Sequence, residues 1–137
     1  MKPNLLVTII GFYAIFLVSC EKTEKFDSTL EGRWKLVSFN TAPMVNINPI
    51  STEDDNIILT FNQGVLTVKG NENEKFYIKN GEYLYETETR NYEYSSSKVV
   101  DYIVKLKDIE YIYYFRDGKL VISNAHVDGP YFELKRF

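Results

Sequence analysis

Cysteine and histidine are nearly missing from this 137-residue chain, which has one of each, Cys20 and His126. A single cysteine excludes an internal disulfide bond. A catalytic zinc site needs three protein ligands, and His126 with the nearby Asp128 supplies only two. The chain also lacks a P-loop and the G-x-S-x-G motif of serine hydrolases. The sequence therefore predicts no metal, no cofactor and no enzymatic activity.

Clusters of basic residues are missing as well. The chain has 16 Lys and Arg residues against 19 Asp and Glu residues, a net charge of −3. Because binding to a phosphate backbone requires clustered positive charge, we expect no nucleic-acid partner. The abundant residues are instead aromatic, with 11 Tyr and 9 Phe against 4 Pro and 7 Gly. This composition favours β-structure.

An uncharged run opens the chain. Leu5 to Ser19 follows Lys2 and contains no charged residue. The run is shorter than the ~20 residues of a membrane-spanning helix and suits the core of a signal peptide. It ends in Leu17-Val18-Ser19-Cys20, which resembles the lipobox of bacterial lipoproteins: Leu, a variable residue, a small residue and Cys. A cysteine in a transmembrane anchor is the alternative.

The lipobox resemblance implies an anchored protein. Residues 1–19 would be a cleaved signal peptide, and Cys20 would carry a diacylglyceryl group and a further N-acyl chain such as palmitate. Two or more acyl chains attach a protein stably to a bilayer. The charged and polar residues 20–29 are predicted to be a flexible tether. We therefore expect a lipoprotein of the bacterial outer membrane, whose partner is the membrane itself; surface and periplasmic orientations both remain open.

Short runs of alternating apolar and polar residues fill the rest of the chain. Tight-turn signals such as Asn80-Gly81 and Asp117-Gly118 separate them, which indicates an antiparallel meander. An up-and-down barrel of about eight strands would bury its apolar face; a flattened barrel or two-sheet sandwich is the alternative. The predicted strands are residues 31–39, 56–62, 65–69, 75–79, 82–88, 98–107, 109–116, 119–124 and 131–137.

Three short motifs resemble the small lipocalin-like domains of Bacteroidetes lipoproteins. They are residues 30–36 (LEGRWKL), 117–122 (DGKLVI) and 132–136 (FELKR). The resemblance implies that residues 30–137 form a lipocalin-like barrel, in which Trp34, preceded by Gly32, plugs one end and Arg136 packs on the Trp34 ring. The second lipocalin motif, T-D-Y, is absent, and the chain is shorter than a full lipocalin.

Aromatic residues dominate the predicted inward faces. Tyr and Phe lining a barrel would suit a small hydrophobic or amphipathic ligand. We expect a pocket beneath residues 40–55, a loop whose apolar Met44, Val45, Ile47 and Ile50 suit a lid. Alternatively, the rings fill the barrel and the chain acts as an accessory lipoprotein that contacts other proteins. The candidate lumen residues are Phe61, Phe76, Tyr83, Tyr85, Tyr102, Tyr111, Tyr113 and Phe115.

Overall fold

The protein is an all-β structure. The computed structural model describes residues 29–41, 48–94, 97–124 and 129–137, and within these ranges it contains no helix. The expected fold class is therefore confirmed. The nine strands are β1 (Gly32–Asn40), β2 (Ile50–Ser51), β3 (Ile58–Asn62), β4 (Val65–Lys69), β5 (Gly81–Tyr94), β6 (Ser97–Leu106), β7 (Ile109–Arg116), β8 (Lys119–Ser123) and β9 (Tyr131–Arg136).

Eight of these strands close into an antiparallel barrel. Strands β3 to β9 pair in sequence order, and β1 pairs with β3 on one side and with β9 on the other. Closure leaves no long sheet edge in the barrel wall, which is how a meander buries its apolar face. The short β2 is an addition that pairs with Ser38 and Phe39 of β1. The expected up-and-down barrel is thus confirmed over the two-sheet alternative.

Closure packs the barrel interior with apolar side chains. One cluster includes side chains from every barrel strand, and many of its members are fully buried. Such close packing supplies most of the hydrophobic stabilisation of a domain of this size. The largest fully buried side chains are Trp34, Phe39, Phe76, Leu36, Ile57, Leu59, Leu66, Leu120, Ile122 and Leu134.

The β5–β6 hairpin is much longer than the sequence predicts. Residues 89–97, expected to be a loop, belong almost entirely to these strands, whose ladder runs from Tyr85↔Leu106 to Tyr94↔Ser97. Strand β4 pairs with β5 only as far as Leu84, and β7 pairs with β6 only from Tyr102 onward. Residues 86–94 and 97–101 therefore form a two-stranded extension, which we call the arm. Its residues do not alternate in polarity because neither face of the arm covers the core.

Candidate functional site

A loop covers one end of the barrel, and we call it the lid loop (residues 71–80). The sequence predicts a strand over residues 75–79, but this prediction is wrong, since the segment has no ladder partner among the described strands. Gly70 directs the chain into the loop with φ +85°, and a Cβ at this position would overlap the backbone of Asn56. Only glycine adopts this conformation in this space without strain.

Asn71 holds the lid loop in shape from a buried position. Its side-chain Nδ2 donates hydrogen bonds to the carbonyl oxygens of Phe76 (2.7 Å) and Ile78 (2.9 Å), and its Oδ1 accepts from the Phe76 N–H (3.1 Å). The Asn71 N–H donates to Oδ1 of Asn80 (2.9 Å), which joins the two ends of the loop. These side-chain hydrogen bonds satisfy buried backbone groups of the loop, which in a strand would be satisfied by hydrogen bonds to a neighbouring strand.

Phe76 inserts from the lid loop into the barrel core. Its side chain is fully buried, with its ring centroid 5.5 Å from that of Phe39 on β1 and 5.3 Å from that of Phe132 on β9. Both pairs are edge-to-face, a favourable arrangement of aromatic rings. Ile78 is also buried in the core. The lid loop therefore reaches across the barrel end from β4 to β9.

A pocket of about 300 Å³ lies between the lid loop and the β6–β7 turn. Its position differs from the expected one beneath residues 40–55. The described part of that segment runs beside β1 instead, where the Thr52 hydroxyl donates to the Leu36 carbonyl oxygen; Met44, Val45 and Ile47 lie outside the described residues. The pocket is lined by Tyr77, Ile78, Lys79, Tyr83, Leu106, Lys107, Ile109 and Tyr111.

Two neutral phenol groups contribute polar atoms to this pocket. Tyr77 and Tyr111 both line it and are close neighbours. The Tyr77 side chain is partly exposed, but desolvation of its hydroxyl raises the pKa of Tyr77 well above its ordinary value, and the neighbouring Tyr111 raises it further. Burial also raises the pKa of Tyr111, an effect that the neighbouring Tyr77 hydroxyl partly offsets. Both phenols therefore stay protonated at neutral pH and can exchange hydrogen bonds with a ligand.

Two lysines, and no acidic residue, line the same pocket. The Lys107 ammonium lies 4.8 Å from the centre of the Tyr83 ring, within cation–π range. The Tyr83 hydroxyl donates to the Lys79 carbonyl oxygen at 2.8 Å, which fixes the ring. The Lys79 ammonium pairs with Glu74 at 2.8 Å, and this contact raises the pKa of Lys79. The charged side chains that line the pocket are therefore all positive, in a chain of net negative charge.

Trp34 lies at the other end of the barrel. Its ring is fully buried, and its Nε1–H donates to the Leu30 carbonyl oxygen at 2.8 Å. The Arg136 guanidinium lies 4.4 Å from the ring centre, and the Phe115 centroid lies 6.1 Å away. A buried indole needs a hydrogen-bond partner for its N–H. Here Leu30 provides that partner, and Arg136 and Phe115 pack against the ring.

Gly32 provides the space in which Arg136 crosses this end. Its φ is +122°, and a Cβ there would lie 2.5 Å from Arg136 Nη1. That nitrogen donates to the Glu31 carbonyl oxygen at 2.6 Å. The Glu31 carboxylate accepts from the Tyr85 hydroxyl at 2.6 Å, and burial together with this bond raises the pKa of Tyr85 to about 12. Hydrogen bonds thus connect β5, β9 and the residue before β1.

The eight candidate lumen residues fall into three groups. Tyr83 and Tyr111 line the pocket. Tyr113 and Phe115 are partly buried against the core, and Tyr102 is 48 % exposed at the base of the arm, 5.7 Å from Tyr113 between ring centroids. None of these last three lines the pocket, although Tyr102 and Tyr113 were expected to. The remaining three are buried in the core cluster: Phe61, Phe76 and Tyr85.

Charged side chains cover the outer face of the arm and of neighbouring β7. Arg90 pairs with Glu88 (2.7 Å) and Glu110 (2.9 Å), and Lys105 pairs with the same two carboxylates at 2.8 and 3.4 Å. These cations lower the pKa of Glu88 and of Glu110 to about 2. The charges of all four side chains are balanced within the network, so we assign it a structural role.

A second depression, of about 440 Å³, lies where β4 ends and β5 begins. Its lining includes two glycines and one buried apolar side chain, that of Val68. It is wide open to solvent, whereas the pocket beneath the lid loop is more enclosed, and small-molecule sites bury most of the surface of their ligand. The pocket beneath the lid loop is therefore the stronger candidate.

Comparison of the chain with protein-family models, curated proteins and solved structures finds no significant match. The described residues contain no helix that is long and apolar enough to cross a membrane. In the same residues, no three His, Cys, Asp or Glu side chains are grouped to hold a metal ion. Cys20, His126 and Asp128 lie outside the described residues.

The sequence reasoning missed most of the pocket lining. Ile78 and Ile109 carry no motif, and Lys107 is the last residue of the predicted strand 98–107. Asn71, which holds the lid loop without lining the pocket, carries no motif either. One available signal was the pair Gly70-Asn71, because glycine followed by asparagine commonly marks an irregular turn. The pocket itself is formed by side chains about 30 residues apart in sequence (77–79 and 106–111), which no local pattern brings together.

Proposed function

We propose that this chain is a lipoprotein of the bacterial cell envelope whose barrel binds a small amphipathic molecule at the lid end. The observation that carries the binding proposal is the pocket of about 300 Å³, with apolar walls and a few convergent polar groups. This combination is characteristic of small-molecule sites, and the volume is at the lower end of their usual range. Binding rather than catalysis is proposed because no residue set in the pocket provides a nucleophile with a base.

The two barrel ends differ in a way that suits this proposal. At the Trp34 end a buried indole fills the space, whereas the lid end is covered by a loop without ladder hydrogen bonds to its neighbours. Loops held by few backbone bonds open at lower free-energy cost than core strands. A ligand would therefore reach the pocket beside the lid loop.

Filling the pocket is expected to abolish binding. Ile109 lines the pocket and is 44 % exposed, so Ile109→Trp would place an indole in the binding volume with little loss of core packing. Phenylnaphthylamine, a neutral probe that fluoresces in apolar sites, should bind the wild type. We expect Ile109→Trp to weaken this binding at least ~10-fold, the loss of about 1.4 kcal/mol or more, measured by fluorescence titration.

Val99→Trp is the matched control, because Val99 is a similarly exposed β-branched residue on the arm. It should bind the probe as the wild type does. Equal probe affinity in Ile109→Trp and the wild type, with unchanged melting temperatures, would show that the probe binds elsewhere. Absence of probe binding to the wild type would also count against the proposal.

Anchoring through Cys20 is the second part of the proposal. The supporting observation is the sequence Leu17-Val18-Ser19-Cys20 after an uncharged run. In cells that process lipoproteins, we expect Cys20→Ala to leave the membrane fraction, because the acyl chains that hold it are no longer attached. Intact mass spectrometry of the wild type should show added acyl mass. Membrane association of Cys20→Ala together with an unacylated wild type would contradict this part.

A second function, contact with a protein partner in the envelope, is favoured by the arm. Among the described strands, β5 beyond Tyr85 pairs only with β6, and β6 before Tyr102 pairs only with β5. Each strand of the arm therefore has one unpaired edge, and Val99, Val100 and Tyr102 are exposed there. Unpaired strand edges accept an added strand from another protein. This function would take precedence if the pocket experiments fail while the protein remains folded.

A further inference from the structure

We infer that the ligand of the lid-end pocket carries an anionic group, which the Lys107 ammonium binds at the pocket rim. This inference rests on the proposed binding function and specifies the chemistry of the same site. The lining contains two ammonium groups and no carboxylate. An anion is the ligand group that such a rim favours electrostatically.

Of the two lysines, Lys107 is the one available to a ligand. Lys79 already forms an ion pair with Glu74 at 2.8 Å. Among the described residues, the Lys107 ammonium has no carboxylate within 4.0 Å, and its observed contact is the face of the Tyr83 ring. A cation–π contact leaves ammonium N–H groups free to donate hydrogen bonds to an anion.

The position of Lys107 is set by the backbone. It is the first residue of the tight turn between β6 and β7, with φ +57°. The turn is short and its flanking residues, Leu106 and Ile109, are directly paired. The neighbouring Asp108 is exposed and does not line the pocket. The ammonium is therefore held beside the pocket by a rigid part of the barrel rather than by the lid loop.

The remaining walls indicate the rest of the ligand. Ile78, Leu106 and Ile109 provide apolar surface for its body. The hydroxyls of Tyr77 and Tyr111 are neutral, since burial raises the pKa of both phenols. They therefore add no negative charge that would repel an anion. The expected ligand is a small molecule with an apolar body and one acidic group, such as a carboxylate or a sulfonate.

Two probes with the same ring system test this inference. Anilinonaphthalene sulfonate carries a sulfonate, and phenylnaphthylamine does not. We expect Lys107→Met to weaken binding of the sulfonate by about 10-fold more than it weakens binding of phenylnaphthylamine, the effect of removing one charge-assisted hydrogen bond. Raised salt should weaken binding of the sulfonate alone. Lys107→Arg, which keeps the positive charge, should retain sulfonate binding.

Lys135→Met provides the control, because Lys135 is an exposed lysine on β9 that pairs with Lys35 towards the Trp34 end. It should bind both probes as the wild type does. If Lys107→Met and Lys135→Met bind the sulfonate equally while Ile109→Trp blocks both probes, the anion inference is overturned and the binding function stands. If neither probe binds the wild type, both are overturned.

Discussion

Replacement of Trp34 by alanine is expected to destabilise the barrel more than any other single change considered for this protein. The indole is fully buried and contacts the Phe115 ring and the Arg136 guanidinium. Removing a buried tryptophan costs ~3–5 kcal/mol, a large part of the ~5–15 kcal/mol that stabilises a typical domain. The loss also leaves the Leu30 carbonyl without its hydrogen-bond donor.

The measurement is thermal unfolding of residues 29–137 followed by circular dichroism. We expect Trp34→Ala to lower the melting temperature by at least ~10 °C, because 1 kcal/mol corresponds to roughly 4–8 °C in a domain of this size. Trp34→Phe, which retains a ring but loses the N–H, should cost less. A melting temperature of Trp34→Ala within 2–3 °C of the wild type, on the same scale, would contradict the role assigned to this residue.

Replacement of Asn71 by alanine is expected to release the lid loop. The buried Asn71 side chain makes three hydrogen bonds to the backbone of Phe76 and Ile78. A buried polar group that loses its partner costs ~1–3 kcal/mol. The backbone groups of Phe76 and Ile78 would regain partners in water if the loop left the core, so the loop should detach locally, with a loss of ~2–4 kcal/mol in overall stability.

Hydrogen exchange measured by mass spectrometry separates this local effect from global unfolding. In Asn71→Ala, residues 71–80 should exchange much faster than in the wild type, while β7, β8 and β9 remain protected. Asn73→Ala is the control, since Asn73 is an exposed asparagine in the same loop. Equal exchange of the lid loop in both variants would mean that Asn71 does not hold it. Phenylnaphthylamine binding should fall in Asn71→Ala alone, because the lid loop supplies one wall of the pocket.

Local periodicity predicted which side chains face inward better than it predicted which segments pair. Phe76 and Ile78 alternate with exposed neighbours, as in a strand, and both are buried. Yet the segment has no ladder partner, and side chains of Asn71 and Asn80 satisfy its backbone instead. Alternation of apolar and polar residues indicates which face of a segment is buried. Backbone pairing also requires a neighbouring strand at a suitable distance.

In the arm, by contrast, the sequence predicts a loop where the structure contains two paired strands. Residues 89–97 are polar and without a clear period, which favours a loop. Residues 89–94 and 97 form strands because each pairs with a residue across the hairpin, from Thr89↔Tyr102 to Tyr94↔Ser97. Ion pairs of Arg90 with Glu88 and Glu110 support the base of this arm. Alternation of apolar and polar residues arises where one face of a strand is buried, and neither face of this hairpin packs against the core.

The sequence by itself determined the all-β class, the antiparallel meander and the need for closure. These follow from two local properties, the two-residue alternation of apolar side chains and the turn residues between strands, such as Asp117-Gly118. The lipobox-like end at Cys20 is likewise a local pattern, from which anchoring is proposed. Each of these features depends on residues close together in the chain.

Only the tertiary structure decided where the candidate pocket lies. Closure of β1 against both β3 and β9 set the size of the barrel, and the lid loop then filled part of one end with Phe76. The remaining space became the pocket, with Tyr77 and Lys79 on one side and Lys107 and Tyr111 on the other. Its volume and charge depend on distances between segments far apart in sequence, and no local periodicity specifies those distances.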